Sequence, residues 1–359
     1  MKEGDEKRKR EEDSLEKNIK KKRIGPNARV LEDEEPRAGP STAVTPRSNP
    51  QLSISGFDFH QVLGEGGFGK VVLASVRGRN TDKAIKIIIK EDNAEDLQRE
   101  RRILLAARDC PFLCHLYAAL QSQGHAYFIM EYLSGGSLKD LIDNNTLSTK
   151  IVRVYTAELI CGIQFLHGHG IAHRDIKPAN IMLDTDGHIR IIDLGLAQDG
   201  LTASSKIYGH AGTYRYMAPE VHLGKSYTVA VDWWSLGILV SKMSSGRYPF
   251  YSGRQRKKVY ESITTEQPTF PPWLDVNLKD LIKALLQKDP EKRLGVSENI
   301  RAHLFFETIC WEEMEMRSAE PPFRPLHHDL KRSHLEWSEN EPAVHPVSGF
   351  SFLSPSWTQ

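Results

Sequence analysis

Cysteine is scarce: the chain of 359 residues has four, Cys110, Cys114, Cys161 and Cys310, with no CxxC pair and no zinc-ligand spacing to a histidine. That excludes a disulfide framework or a zinc knuckle as the organising device and leads us to expect free thiols in a reducing compartment. Long hydrophobic runs are missing too. No stretch reaches the roughly 18 apolar residues of a membrane span, and no apolar segment lies near the N-terminus, so neither a spanning helix nor a secretory leader is expected. Nor is there a surplus of either charge. With a formal net charge of +1, nothing pulls the whole molecule towards nucleic acid or an anionic membrane, and any charge effect has to be local. A cytoplasmic or nuclear setting, or both, is the expectation.

The chain does have enough apolar residues for a sizeable core, 39% of a length greater than one average domain. The core cannot begin at once. Residues 1–56 lack apolar periodicity until their end and are punctuated by Pro26, Pro36, Pro40, Pro46 and Pro50, the pattern of a disordered tail. Within it Lys7-Arg8-Lys9-Arg10 and Lys20-Lys21-Lys22-Arg23 resemble a bipartite nuclear-import signal. A solvated charge run is the plainer reading, because Glu11, Glu12, Asp13 and Glu16 lie between the clusters.

From Phe57 the pattern changes. Phe57-Asp58-Phe59-His60-Gln61-Val62-Leu63 alternates as a strand does, and Gly64-Glu65-Gly66-Gly67-Phe68-Gly69 leads into a second β-prone run, Lys70 to Ala74. A Rossmann turn would put a helix after those glycines; a strand there predicts a hairpin lid instead. Lys86 lies in the apolar run Lys83 to Ile89, where an unpaired ammonium is costly, so an acidic partner is expected from the helical stretch Leu97 to Leu104. Glu100 has the best spacing, with Glu95 and Asp96 as alternatives. Further on come His173 to Asn180, HRDIKPAN, and Asp193-Leu194-Gly195. An acid, an amine, a carboxamide and a second acid at fixed spacing suit phosphoryl transfer, which needs charge neutralisation more than covalent help.

These motifs, followed by Ala218-Pro219-Glu220, resemble those of the eukaryotic protein kinases in order and separation. The resemblance implies an α+β, two-lobed kinase fold and transfer of the ATP γ-phosphate to protein substrates. Lys177 two residues after Asp175 is similar to the serine/threonine type of loop. By the same resemblance Asp175 is the base and Lys177 the γ-phosphate contact, while Asn180 and Asp193 hold Mg²⁺. Lys86 with Glu100 would align the α- and β-phosphates. The lid over ATP is Gly64, Glu65, Gly66, Gly67, Phe68 and Gly69, and the pocket walls are Val71, Ala84 and the gatekeeper Met130. Main-chain groups of Glu131 and Leu133 would meet the adenine. Thr213 is expected on Asp175 and Lys177, Asp232 on the backbone of the catalytic loop, and Arg293 on Glu220. Leu194, where Phe is commoner, should fill the same apolar site.

The C-terminal part narrows the likeness. Phe305 to Trp311, Glu320-Pro321-Pro322-Phe323-Arg324-Pro325 and Gly349-Phe350-Ser351-Phe352 resemble the tail of AGC-group kinases, most nearly the novel (delta/theta-like) protein kinase C catalytic domains. The expected organisation is a kinase domain over residues 57–306 and an AGC tail over 307–359. That tail should wrap the small lobe, dock its aromatic end beside the Glu100 helix and offer Ser351 to an upstream kinase. No cysteine/histidine zinc pattern precedes the domain, so no diacylglycerol or calcium module is expected.

Four departures stand out. Gly209 occupies the activation-loop position where relatives carry a phosphorylated threonine facing Arg174; either Tyr208, Ser204, Ser205 and Thr202 are the substitutes or the segment orders without phosphate. The turn-motif Thr-Pro is replaced by His345-Pro346 or deleted. Val347 replaces the first tail aromatic, which should weaken docking. Ser137, Ala179 and Lys242 stand where basophilic relatives are acidic, and Arg254, Arg256, Lys257 and Lys258 add positive charge, so a weakened or reversed preference for basic substrates is expected. Two rival readings are a nucleotide-binding scaffold without catalysis and a nucleic-acid binder. The complete set of chemical residues speaks against the first, and the lack of aromatic interleaving in the basic clusters against the second.

Overall fold

The alternation that begins at Phe57 becomes β1 (Phe57–Gly66), which turns at the glycines and returns as β2 (Gly69–Val76). The computed structural model describes residues 53–66, 69–79, 81–91, 93–143, 145–325, 333–337 and 345–358. Both N-terminal basic clusters, and Gly67 and Phe68 of the glycine-rich motif, lie outside the described residues.

β3 (Asp82–Ile89) follows, then α1 (Ala94–Ala107), β4 (Leu116–Gln121) and β5 (His125–Glu131). β3 is rich in isoleucine and β5 aromatic at its centre, both suited to a pleated surface covered on two faces. Tyr127, Phe128 and Ile129 of β5 are accordingly all fully buried. α1 begins with Glu95 and Asp96 in its first turn, where the helix dipole favours anions. It buries Leu97, Glu100, Ile103 and Leu104, an i, i+3, i+4 stripe that includes one carboxylate.

Helices dominate the next part. α2 (Leu138–Asp143) and α3 (Thr149–Gly168) lead to a small hairpin of β6 (Ile181–Leu183) and β7 (Ile189–Ile191). α4 (Pro219–His222) and α5 (Ala230–Ser245) come next, then α6 (Arg256–Thr265), α7 (Val276–Leu285) and α8 (Trp311–Glu315). α5 is buried nearly all round and carries the fully buried Trp233 and Trp234, so it forms the axis of this lobe. It stops at Gly246, whose left-handed φ of 70° lets its N–H reach the Lys242 carbonyl.

The tail closes the fold. β8 (Phe352–Leu353) pairs with β4, so the sheet order is β1-β2-β3-β5-β4-β8, antiparallel throughout. On the outer sheet face Phe57, Phe59, Tyr127 and Ile129 form a second core, against which Leu335, Trp337 and Trp357 pack. A sheet lobe with one key helix, joined to a helical lobe, is the α+β architecture expected from the motifs.

Candidate functional site

Asn180 and Asp193 are brought together by the hairpin between them. Ile181 pairs with Ile191, and Ile192 N–H donates to the Asn180 carbonyl at 2.9 Å, so the residue before β6 and the second residue after β7 end side by side. The apolar run in the sequence is what sets this spacing. Asp175 sits just upstream, buried, and three groups converge on its carboxylate. Thr213 Oγ1 donates to Oδ1 at 2.7 Å, while Lys177 Nζ (2.7 Å) and Asn180 Nδ2 (3.0 Å) donate to Oδ2. Lys177 Nζ also meets Thr213 Oγ1 at 2.9 Å.

The loop is held by Asp232 of α5. Its carboxylate accepts from His173 N at 2.9 Å, Arg174 N at 2.8 Å and His167 Nε2 at 2.8 Å. Burial alone would push this carboxyl up, but His167, His173 and the backbone donors override it and hold it below the usual aspartate range. Arg174 and Asp193 adopt left-handed backbone, φ 67° and 60°. Each costs about 1–3 kcal/mol, strain that persists only where surroundings impose it.

On the sheet side, Lys86 is buried and its ammonium lies 2.6 Å from Glu100 Oε1 and 3.0 Å from Asp193 Oδ1. Burial works against the charge, but the two carboxylates outweigh it and hold the proton well beyond the ordinary lysine range. Asp193 moves the other way: burial opposes ionisation, and Lys86 overrides it to keep the carboxyl below its usual value. Of the alternative partners, Asp96 pairs with Arg99 instead. Gly195 makes room for the cluster, since a Cβ there would stand 3.0 Å from Lys86 Nζ and 3.3 Å from Asp193 Oδ1.

The cleft between these parts suits a nucleotide. Val71 lies opposite Lys86, and Ala84 opposite both Leu73 and Met130, so Val71, Ala84, Lys86 and Met130 share one sheet face. Glu131 N–H is taken by the His115 carbonyl at 3.0 Å. Leu133 is buried, yet its N–H and C=O make no hydrogen bond to another described residue, leaving a donor and an acceptor for a planar base. Along the lid, Gly69 has φ 121° and a Cβ there would strike the Ile87 carbonyl at 2.1 Å, so the fold itself demands glycine. Gly64 and Gly66 meet nothing within 4 Å. Packing within the described residues therefore does not require glycine at either position.

The donor set also fits Mg²⁺. Asn180 spends its Nδ2 on Asp175, which leaves Oδ1 as an acceptor beside the part-exposed Asp193 carboxylate. No group of three or more His, Cys, Asp or Glu among the described residues forms a metal cage. Mg²⁺ needs none, because it takes one or two protein oxygens and completes its shell with phosphates and water.

The activation segment, Asp193 to Glu220, is held by contacts to the rest of the protein. Arg174 Nε donates to the Leu196 carbonyl at 2.6 Å and Nη1 to Tyr227 Oη at 3.4 Å. Ile207 and Tyr227 exchange backbone hydrogen bonds at 2.8 and 2.9 Å, and Arg102 of α1 pairs with Asp199 at 2.9 Å. Arg293, fully buried, makes a two-pronged pair with Glu220 at 2.8 and 3.0 Å.

Two expectations need correcting. Val347 does not loosen the tail: it is buried, and its N–H and C=O bind the Gln121 side chain at 2.9 and 3.0 Å, so backbone pairing replaces the missing ring. Ser137 does not leave its end of the groove without acid, because its hydroxyl donates to Asp140 Oδ2 at 2.6 Å. His167 and the role of Gly195 escaped the sequence reading. Nothing local in the sequence marks a histidine whose partner lies on another helix.

A family model described as protein kinase domain matches residues 57–306. Protein kinase C delta type of Rattus norvegicus is 38% identical over 328 residues, covering 85% of this chain and 49% of that protein. The human protein kinase C delta type is 42% identical over 281 residues, 77% of this chain and 41% of that protein. Protein kinase C-like 1B of Caenorhabditis elegans is 36% identical over 335 residues, 86% and 47% of the two chains. The chain thus spans about half the length of the curated relatives it matches.

Proposed function

The chain belongs to the protein kinase family, and from that premise we propose that it transfers the γ-phosphate of ATP to serine or threonine hydroxyls of protein substrates. The observation that carries this reading is the convergence of Thr213, Lys177 and Asn180 on the buried Asp175 carboxylate. A carboxylate fixed in this way can orient an incoming hydroxyl and take its proton. Lys177 supplies positive charge beside it for the transferring group. Lys86, kept protonated by Glu100 and Asp193, offers a fixed cation to the other phosphates. Asn180 Oδ1 and Asp193 are the residues that would hold Mg²⁺, which when bound neutralises phosphate oxygens. Leu133 would position the adenine, with Val71, Ala84 and Met130 as its apolar walls.

The test is transfer of labelled phosphate by phosphatase-treated recombinant protein, beside Asp175→Asn and Asp193→Asn. Loss of transfer in both variants is expected. Absence of transfer from the unmodified chain, with Mg·ATP still bound, would instead establish a scaffold.

Two partners complete the proposal. Ser351 is exposed between the buried Phe350 and the half-buried Phe352, which makes its hydroxyl open to an upstream kinase. The clusters at 7–10 and 20–23 would engage an import receptor. Glutamine at all eight positions should then shift a fluorescent fusion from nucleus to cytoplasm.

A further inference from the structure

A separate open cavity of about 890 Å³ lies between the end of α5, the loop after it and α6. Its aromatic wall is Tyr248 and Tyr251, and its cations are Lys242, Arg247 and Lys258. The segment that follows Thr213 is fastened to this wall. Arg215 donates to the Tyr251 and Ser252 carbonyls at 2.9 and 3.1 Å and lies over the Tyr248 ring at 5.2 Å. Tyr216 meets Tyr248 edge-on at 6.0 Å, and Tyr214 Oη donates to the Arg256 carbonyl at 3.1 Å. A polypeptide whose hydroxyl reaches Asp175, where Thr213 is hydrogen-bonded, therefore passes its neighbouring residues along this wall.

The charges there are not spent on one another. Lys242 Nζ is anchored to the Gly246 carbonyl at 2.8 Å and lies 5.5 Å from the Tyr248 centroid. Arg247 and Lys258 are exposed, and among the described residues neither has a carboxylate at ion-pair distance. Lys258 Nζ is over the Tyr251 ring at 5.7 Å, which directs it to the cavity. Two carboxylates, Glu261 and Glu266, share the lining with these three cations, and Glu261 is 3.9 Å from Lys257. Arg254, Arg256 and Lys257, all exposed, precede Lys258 in the chain. At the Ser137 end the Asp140 carboxylate, which accepts from the Ser137 hydroxyl at 2.6 Å, supplies negative charge.

We propose that this cavity takes an anionic side chain of the substrate polypeptide, carboxylate or phosphate, with Arg247 and Lys258 as its specificity-determining residues. The inference rests on the phosphotransfer reading, which places a polypeptide in the groove. Lys242 sits at a helix end with its ammonium already engaged, so the exposed pair gives the cleaner test.

The experiment uses the full chain and fluorescein-labelled serine peptides. One glutamate, phosphoserine or arginine is walked through every position on either side of the acceptor. Binding is read by anisotropy without ATP, and phosphate transfer is read separately. At one side of the acceptor the anionic peptides should bind about tenfold tighter than their arginine counterparts, a margin that shrinks with salt. The Glu and phosphoserine arms show which anion is preferred. Arg247→Glu and Lys258→Glu should each reduce or invert the ratio, and Lys258→Arg should keep it. Arginine preferred at every position, or a ratio indifferent to both reversals, overturns the inference even if transfer is normal. Anionic preference lost on reversal, with no transfer to any peptide, supports the cavity and overturns the catalytic reading.

Discussion

Gly64 and Gly69 belong to one glycine-rich turn and answer to different demands. Alanine at Gly69 would force a Cβ into the Ile87 carbonyl on a backbone already at φ 121°. Gly69→Ala should therefore lower the melting temperature, since a left-handed non-glycine residue alone costs about 1–2 kcal/mol. Gly64→Ala and Gly66→Ala meet open space and should melt with the wild type, while the KM for ATP rises. Melting curves beside ATP titrations check both halves, and a Gly64→Ala protein that melts early would refute the distinction. Asp232 carries a second residue-scale prediction. Its folded carboxyl is held below the ordinary value, so its contribution is in full force above about pH 4 and is lost as pH falls through the lower folded value. Asp232→Asn should cost about 1–3 kcal/mol at neutral pH, and the gap to wild type should narrow in acid, measured by urea midpoints across pH. At this scale the sequence was informative wherever chemistry forces residue type at short spacing, as from Asp175 to Asn180. It was silent on His167, which needs α3 and α5 packed together before it has a partner.

The activation segment shows how one element can be fixed by means the sequence does not display. Gly209 announced that the usual phosphothreonine is missing, but not what orders the segment. The answer is distributed: Arg174 on the Leu196 carbonyl and Tyr227, the Ile207–Tyr227 backbone pair, and Arg102 on Asp199. No local pattern marks these, because each joins residues brought close only by the finished lobe. Alanine at Thr202, Ser204 and Ser205 with phenylalanine at Tyr208 should accordingly leave the transfer rate unchanged. A phosphomimetic should fail here: Gly209 has φ 92°, so Gly209→Glu puts a side chain on left-handed backbone and should lower stability by about 1 kcal/mol without raising the rate. Activation by Gly209→Glu in a transfer assay would show that the segment still waits for negative charge.

Across the whole molecule, the tail makes the small lobe depend on the last residues of the chain. Phe350 is fully buried and its ring lies 5.3 Å from Phe128, which stands opposite Lys86 in the sheet. Gln98 of α1 donates to the Ser348 carbonyl, and Arg101 lies 5.9 Å from the Phe352 centroid. Those two residues flank Glu100 on its helix, so the tail braces the element that supplies the partner of Lys86. The aromatic end made this docking legible in the sequence, whereas the Gln121 clasp on Val347 was not, since a side-chain amide pairing with backbone leaves no pattern. Phe350→Ala should cost about 3–5 kcal/mol, the usual range for emptying a buried aromatic site. It should also lower kcat for phosphate transfer, because a loosened α1 lets Glu100 leave Lys86. Leu353→Ala, at an exposed position of the edge strand β8, should do far less to either. Thermal melts and initial rates on the two variants decide the matter. A Phe350→Ala protein that is destabilised but turns over at the wild-type rate would confine the tail to holding the fold together, with no part in setting the Lys86–Glu100 pair.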